Sequence, residues 1–239
     1  MTDEISHLAL PVVVPEPWKV GTLVEVRPLV DGVDIVAEGF PKEAAESPYV
    51  LLRPESPLVA TAESHEVRLA EAACVEECCG ALYVTIRRDG EHIVWYGWRD
   101  PGSVDIGLSE FRFDAKQYQE EIDRACADRS WEWTACTVAR LLEQDLGRRV
   151  AWFERWDCQL LSARSYPWER DRINLFFGRP RRMPTGGSWS QFMVTLLVSD
   201  ADPSVQAGEI AERLLATDPR EFGKSEERAS QCGDRSAFS

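Results

Sequence analysis

Three cysteines within six residues are the densest group of reactive side chains in the chain. Cys74 and Cys78 have a spacing that two zinc ligands can use, and Cys79, His65 or His92 can supply further ligands. A structural zinc site needs four ligands, usually two close pairs, and the other cysteines are scattered. The residues therefore suggest Cys74, Cys78, Cys79 and His65 as metal ligands. Buried thiols that pack as small apolar side chains are the alternative interpretation.

Redox chemistry is a third reading of the same thiols. A disulfide between the neighbours Cys78 and Cys79 would strain the intervening peptide, and strained disulfides are the easily reduced kind. Glu76 and Glu77 disfavour a thiolate, which argues against a reactive nucleophile.

Other familiar catalytic patterns are missing from the sequence. There is no phosphate-binding loop and no Gly-x-Ser-x-Gly elbow. The one basic segment of note runs from 178 to 187 and carries Arg179, Arg181 and Arg182. Arginine forks match phosphate and carboxylate, so the segment is either an anion-binding loop or a solvated one. Four acidic residues, Asp100, Asp105, Glu110 and Asp114, follow the predicted hairpin. Their carboxylates can bind a cation or meet a basic partner, but such a run is more typical of a solvated loop.

The elements around the thiols include a strong β-hairpin. Asp89-Gly90 predicts a two-residue type I′ turn, which places Ile86 opposite Ile93. One face of the strand pair then holds Leu82, Val84, Ile86, Ile93 and Trp95. The other face holds Tyr83, Thr85, Val94, Tyr96 and Trp98. Both faces are largely apolar, so we expect each to be covered at least in part.

Helix signals appear later in the chain. Asp114 and Gln117 form a capping box, Thr134 can cap a second helix that ends at Gly147, and Asp202-Pro203 begins a third. Short alternating segments surround them, including 156–162, 173–177 and 191–198. The order predicts an α+β fold with a mostly antiparallel or mixed sheet, a helix pair and a C-terminal helix. We expect one compact domain over residues 1–219, with a candidate boundary near 110, and a flexible tail over 220–239.

The composition limits the classes of function that the protein can have. The net charge of −14 opposes binding to nucleic acid and favours a basic protein partner. The acidic N-terminal residues do not resemble a signal peptide, and no apolar run would span a membrane. An odd number of cysteines, seven in all, is not typical of a disulfide framework. These features predict a cytoplasmic protein without membrane contact.

The basic residues also indicate a source. There are 23 arginines and four lysines, which is typical of a GC-rich bacterial genome. The hairpin region and the run Arg155-Trp-Asp-Cys158 resemble uncharacterised actinobacterial proteins. That resemblance implies no activity.

The leading hypothesis is a non-enzymatic intracellular interaction protein, immunity-like or inhibitor-like, whose acidic surface meets a basic partner. It needs no cofactor. A zinc-binding protein that uses the thiol cluster is one alternative. An enzyme of unknown class, with a pocket assembled from distant residues, is the other.

Overall fold

The computed structural model describes residues 4–41, 44–53, 55–72, 80–101, 106–182, 189–222 and 224–226. Contacts divide the chain into two compact units. Unit 1 comprises Met1–Glu16 and Gly21–Trp131, and unit 2 comprises Pro17–Val20 and Glu132–Ser239. Each unit has a hydrophobic core of its own. The change of unit comes after Trp131, whereas the sequence analysis places its candidate boundary near residue 110.

Unit 1 is built on a five-stranded antiparallel sheet in the order β10-β9-β8-β7-β6. Smaller pairings, β1-β4-β5 and β2-β3, come from its N-terminal part. The elements are β1 (Leu8–Ala9), β2 (Val12–Val13), β3 (Glu25–Val26), β4 (Leu29–Val30), β5 (Val33–Asp34), α1 (Ile35–Gly39), β6 (Ala44–Ala45), α2 (Pro48–Leu51), β7 (His65–Glu71), β8 (Ala81–Asp89), β9 (His92–Arg99), β10 (Phe111–Asp114) and α3 (Ala115–Ala127).

The predicted hairpin forms between β8 and β9, but its register differs from the prediction. Asp89 pairs with His92 and Ile86 with Trp95, so the two loop residues are Gly90 and Glu91. Gly90 has φ +62°, which suits the first central position of a type II′ turn. The predicted pairing of Ile86 with Ile93 is therefore wrong by two residues. A shift of two keeps every side chain on its face.

The first of the two faces lies in the core, because all five of its residues are at most 3% exposed: Leu82, Val84, Ile86, Ile93 and Trp95. Helix α3 contributes Tyr118 and Ile122 to the same core. The Asp114 carboxylate caps α3 by accepting hydrogen bonds from the backbone N–H groups of residues 116 and 117. Gln117 does not close the predicted capping box, since its side-chain amide hydrogen-bonds the backbone of Leu8.

A β-bulge at Gly97 changes the second face of the hairpin. Thr85 pairs with Tyr96 but Tyr83 pairs with Arg99, so β9 has one extra residue between these pairs. Beyond the bulge the alternation reverses. Trp98 joins the core side, where its ring meets that of Trp95, and Arg99 takes the place predicted for Trp98.

Gly97→Ala should lower the free energy of unfolding by about 1–2 kcal/mol, because Gly97 has φ +61°, where a side chain is strained. The new Cβ would also lie 3.2 Å from Thr85 Oγ1. Gly208→Ala is the matched control. Gly208 lies in a helix of unit 2 with nothing within 4 Å of the added Cβ, and the same change there should stabilise by about 0.5–1 kcal/mol. Urea unfolding measures both. Equal effects at the two positions would contradict the bulge.

Unit 2 packs helices on a four-stranded antiparallel sheet of order β11-β12-β13-β14. Its elements are α4 (Thr134–Leu146), α5 (Val150–Trp156), β11 (Gln159–Tyr166), β12 (Glu169–Arg179), β13 (Ser190–Leu197), α6 (Pro203–Leu215), a 3-10 helix (Pro219–Phe222) and β14 (Lys224–Glu226). Helix α4 packs against α6, β11 and β12. The core between them includes Leu142, Leu175 and Val194.

The predicted α+β class, with several helices, antiparallel sheets and a C-terminal helix, is confirmed. The first two long helices, α3 and α4, belong to different units and each packs in the core of its own unit. Thr134 is the first residue of α4 and not its cap, a position that Trp133 occupies. Asp202 caps α6 as predicted. In the part of the chain that the structure describes, no helix has the length and apolar character needed to cross a membrane.

Candidate interaction surfaces

The charge of the chain is divided unequally between the two units. Unit 1 has 25 of the 41 acidic residues and 11 of the 27 basic ones, which gives −14. Unit 2 has 16 of each and a net charge of zero. The net negative charge of the protein therefore lies entirely in unit 1.

Many carboxylates of unit 1 reach solvent. The exposed ones are Glu4, Glu16, Asp31, Glu38, Glu55, Glu63, Glu66, Asp89, Glu91, Glu110, Asp114, Glu120 and Asp123. Two of them, Glu120 and Asp123, lie on the outer side of α3, where Glu120 is 3.7 Å from Lys116. Glu91 lies in the hairpin loop next to the start of this helix, whose first N–H donates to its carbonyl. Exposed carboxylates attract cationic groups over a distance, so this surface suits a basic partner.

One face of the unit 1 sheet carries several arginine and tyrosine side chains. It lies on the opposite side of the strands from the core, and we call it the arginine–tyrosine face. Its residues are Glu66, Arg68, Tyr83, Thr85, Arg87, Asp89, His92, Val94, Tyr96, Arg99, Arg112 and Asp114. Tyrosine and arginine are enriched at protein interfaces. Arg87 and Arg99 are exposed, and the two tyrosines are half-buried.

The first row of this face is neutralised by internal ion pairs. Arg68, Tyr83 and Arg99 are cross-strand neighbours on β7, β8 and β9. The Arg99 guanidinium stacks on the Tyr83 ring at 4.1 Å and pairs with Glu66 at 2.7 Å. That hydrogen bond lowers the pKa of Glu66. Arg68 pairs with Glu46 at 2.6 Å.

The second arginine row lies beyond the Thr85–Tyr96 pair, and its one ion pair among the described residues is longer than those of the first row. Arg87 and Arg112 flank Val94 from β8 and β10. The Arg87 guanidinium lies 5.7 Å from the centre of the Tyr96 ring. Its ion pair with Asp89 is long, with 3.9 Å between Arg87 Nη2 and Asp89 Oδ2. Arg112 Nη2 lies 3.1 Å from His92 Nδ1.

The metal assignment to Cys74, Cys78, Cys79 and His65 stays a prediction. The three cysteines lie outside the described residues. His65 begins β7 opposite Ile86, and its Nε2 is 2.8 Å from the Pro57 carbonyl oxygen. Ala72 and Gly80, which flank the thiols in the sequence, adjoin the Glu71–Ala81 pair. On β8 five residues, or about 17 Å of strand, separate Ala81 from Ile86, which pairs with His65. Within the described residues, no three His, Cys, Asp or Glu side chains could together hold a metal ion.

Two of the four acidic residues that follow the hairpin form hydrogen bonds with the backbone. Asp114 caps α3, and Asp100 Oδ1 accepts a hydrogen bond from the Ala81 N–H at 3.2 Å. Glu110 is exposed, and Asp105 lies outside the described residues.

The arginine segment of unit 2 meets carboxylates that the sequence analysis did not connect with it. Arg181 pairs with Glu154 at 2.8 Å and Arg179 lies 3.8 Å from Asp157. These pairs join the end of β12 to the end of α5. Residues 183–187 of the predicted loop lie outside the described part, and anion binding there stays a prediction.

Cys158, from the run that carries the resemblance, is a buried free thiol next to these pairs. Burial, together with Asp218 and Asp157, raises its pKa to about 11. A thiol held in its neutral form is a poor nucleophile, so Cys158 is a core residue of unit 2.

The chain matches no protein-family model, no curated protein and no solved structure.

Proposed function

We propose that the protein is a non-enzymatic interaction protein and that the acidic surface of unit 1 binds a basic protein partner. The observation that carries the proposal is the confinement of the net charge of −14 to unit 1. Complementary charge accelerates encounter and suppresses wrong partners more than it adds affinity. Immunity or inhibitor proteins act through a surface of this chemistry, and we place the chain in that functional class by analogy.

The test is affinity capture with the immobilised full chain from lysate of the source cells at low ionic strength. A triple variant, Glu91→Lys with Glu120→Lys and Asp123→Lys, reverses exposed charges of unit 1. We expect it to lose the retained partner, because the local potential that attracts a cationic surface falls sharply. The captured protein should be basic.

A matched control makes the same change of net charge in unit 2. It combines Asp200→Lys, Glu209→Lys and Glu212→Lys, which are all exposed. We expect this variant to retain the partner. Capture that weakens equally in both variants would show that only net charge matters and would overturn the assignment to unit 1. Failure of the unchanged chain to retain any basic protein would overturn the proposal itself.

A further inference from the structure

The second row of the arginine–tyrosine face places two cations side by side. Arg87 on β8 and Arg112 on β10 both pair with Val94 on the strand between them. Neighbouring strands lie about 4.8 Å apart, so the two Cα atoms are about 10 Å apart and both side chains leave the same face. Val94 is only 4% exposed although it belongs to this outer face. Arginine stems can bury apolar surface of this kind.

Neither of these two guanidinium groups has a short ion pair among the described residues, although Asp89 and Asp114 lie on the same face, two residues further along their strands. The ion pair between Arg87 and Asp89 is long, at 3.9 Å. Arg112 is half-buried, and its hydrogen-bond partner is the imidazole of His92. No carboxylate among the described residues forms an ion pair with Arg112.

The first row shows what this sheet does with arginines that serve structure. Arg68 and Arg99 each have a carboxylate within 2.7 Å. The second row lacks ion pairs that short, although like charges on one row repel. The difference between two rows of the same face is the observation that needs an explanation.

We propose that the Arg87–Val94–Arg112 row binds a phosphate group. Guanidinium forks match phosphate oxygens with paired hydrogen bonds. Two arginines match the charge of a phosphate monoester, which is about −1.5 to −2 at neutral pH. The rest of unit 1 repels anions at a distance, so capture depends on direct hydrogen bonds from this row. The inference rests on the pairing of the arginines and is independent of the acidic surface.

The test is a titration of the full-length, nitrogen-15-labelled protein with inorganic phosphate, followed by NMR at neutral pH and constant ionic strength. We expect saturable shifts of the amide signals of Arg87, Val94 and Arg112. Arg87→Gln and Arg112→Gln should each weaken the apparent affinity roughly tenfold or more, because each removes a charged hydrogen-bond donor. Arg112→Lys keeps the charge without the fork and should lose part of the affinity.

Two controls make the result decisive. Arg99→Gln removes a guanidinium from the neutralised row and should leave phosphate binding within about twofold of the unchanged protein. Acetate, with a single charge, should bind more weakly than phosphate. Spectra in chloride alone verify that each variant keeps its fold, and Arg112→Lys carries the test if a glutamine variant does not. Absence of saturable shifts, equal losses from both rows, or acetate binding as tight as phosphate would each overturn the proposal.

Discussion

Trp95→Ala should lower the free energy of unfolding of unit 1 by about 3–5 kcal/mol, as expected for loss of a large buried aromatic side chain. Trp95 is fully buried, and its ring meets those of Phe113 at 5.4 Å and Tyr118 at 6.2 Å. Its Nε1 donates a hydrogen bond to the Tyr118 hydroxyl at 3.0 Å, and that hydroxyl donates to the Leu58 carbonyl at 2.8 Å. Trp95 and Tyr118 together therefore connect β9, β10, α3 and the segment before β7.

Chemical unfolding combined with amide hydrogen exchange measures the size and the place of this effect. Exchange should accelerate in β8 and β9 and stay unchanged in β12. Tyr118→Phe is the companion variant, because it removes only the hydroxyl and leaves the Trp95 N–H and the Leu58 carbonyl without this partner. It should cost about 1–3 kcal/mol. If Tyr118→Phe cost as much as Trp95→Ala, the hydrogen bonds and not the ring would dominate the core.

Arg140→Met should destabilise unit 2 by about 3–5 kcal/mol, because it takes the cation away from a buried carboxylate. The Glu132 side chain is 3% exposed and accepts from Arg140 Nε at 2.8 Å and from the Thr137 hydroxyl at 3.0 Å. A carboxylate in that position has little water to replace the lost guanidinium.

A double variant separates the ion pair from the packing of its side chains. Glu132→Leu with Arg140→Met removes both charges and keeps apolar volume, so it should recover most of the stability lost by Arg140→Met. Urea unfolding followed at amides of β12 and β13 reports the result. A cost of less than about 1 kcal/mol for Arg140→Met would contradict a stabilising role of this ion pair.

Patterns that depend on local chemistry were predictable from the sequence. Asp114 and Asp202 each precede a helix and accept hydrogen bonds from its first N–H groups. The division of the hairpin residues between two faces was predictable up to Gly97 even with the wrong register, because an error of two residues keeps each side chain on its face.

Features that depend on one irregular residue were not predictable. The bulge at Gly97 has no marker beyond the glycine, yet it places Trp98 in the core and Arg99 on the arginine–tyrosine face. Helix α5 was missed, and residue 156 was assigned to a strand, because α5 begins without a side-chain cap. The arginine–tyrosine face was not foreseen as a site, since Arg87, Arg99 and Arg112 converge only through strand pairing.

The charges were visible in the sequence, but their division was not, because no linker marks the change of unit after Trp131. The metal prediction for the thiols remains a prediction. Spacing alone could not supply the distance along β7 between His65 and the residues that flank those thiols.

The division of charge has a consequence for how the protein responds to salt. A compact body of net charge −14 stores repulsion among its own groups, while a body of zero net charge does not. Screening within a Debye length of about 10 Å at 0.1 M ionic strength relieves that repulsion. We therefore expect added salt to relieve this repulsion in unit 1 and to have no corresponding effect in unit 2. The stability of unit 1 should therefore depend on ionic strength through its net charge, which unit 2 lacks.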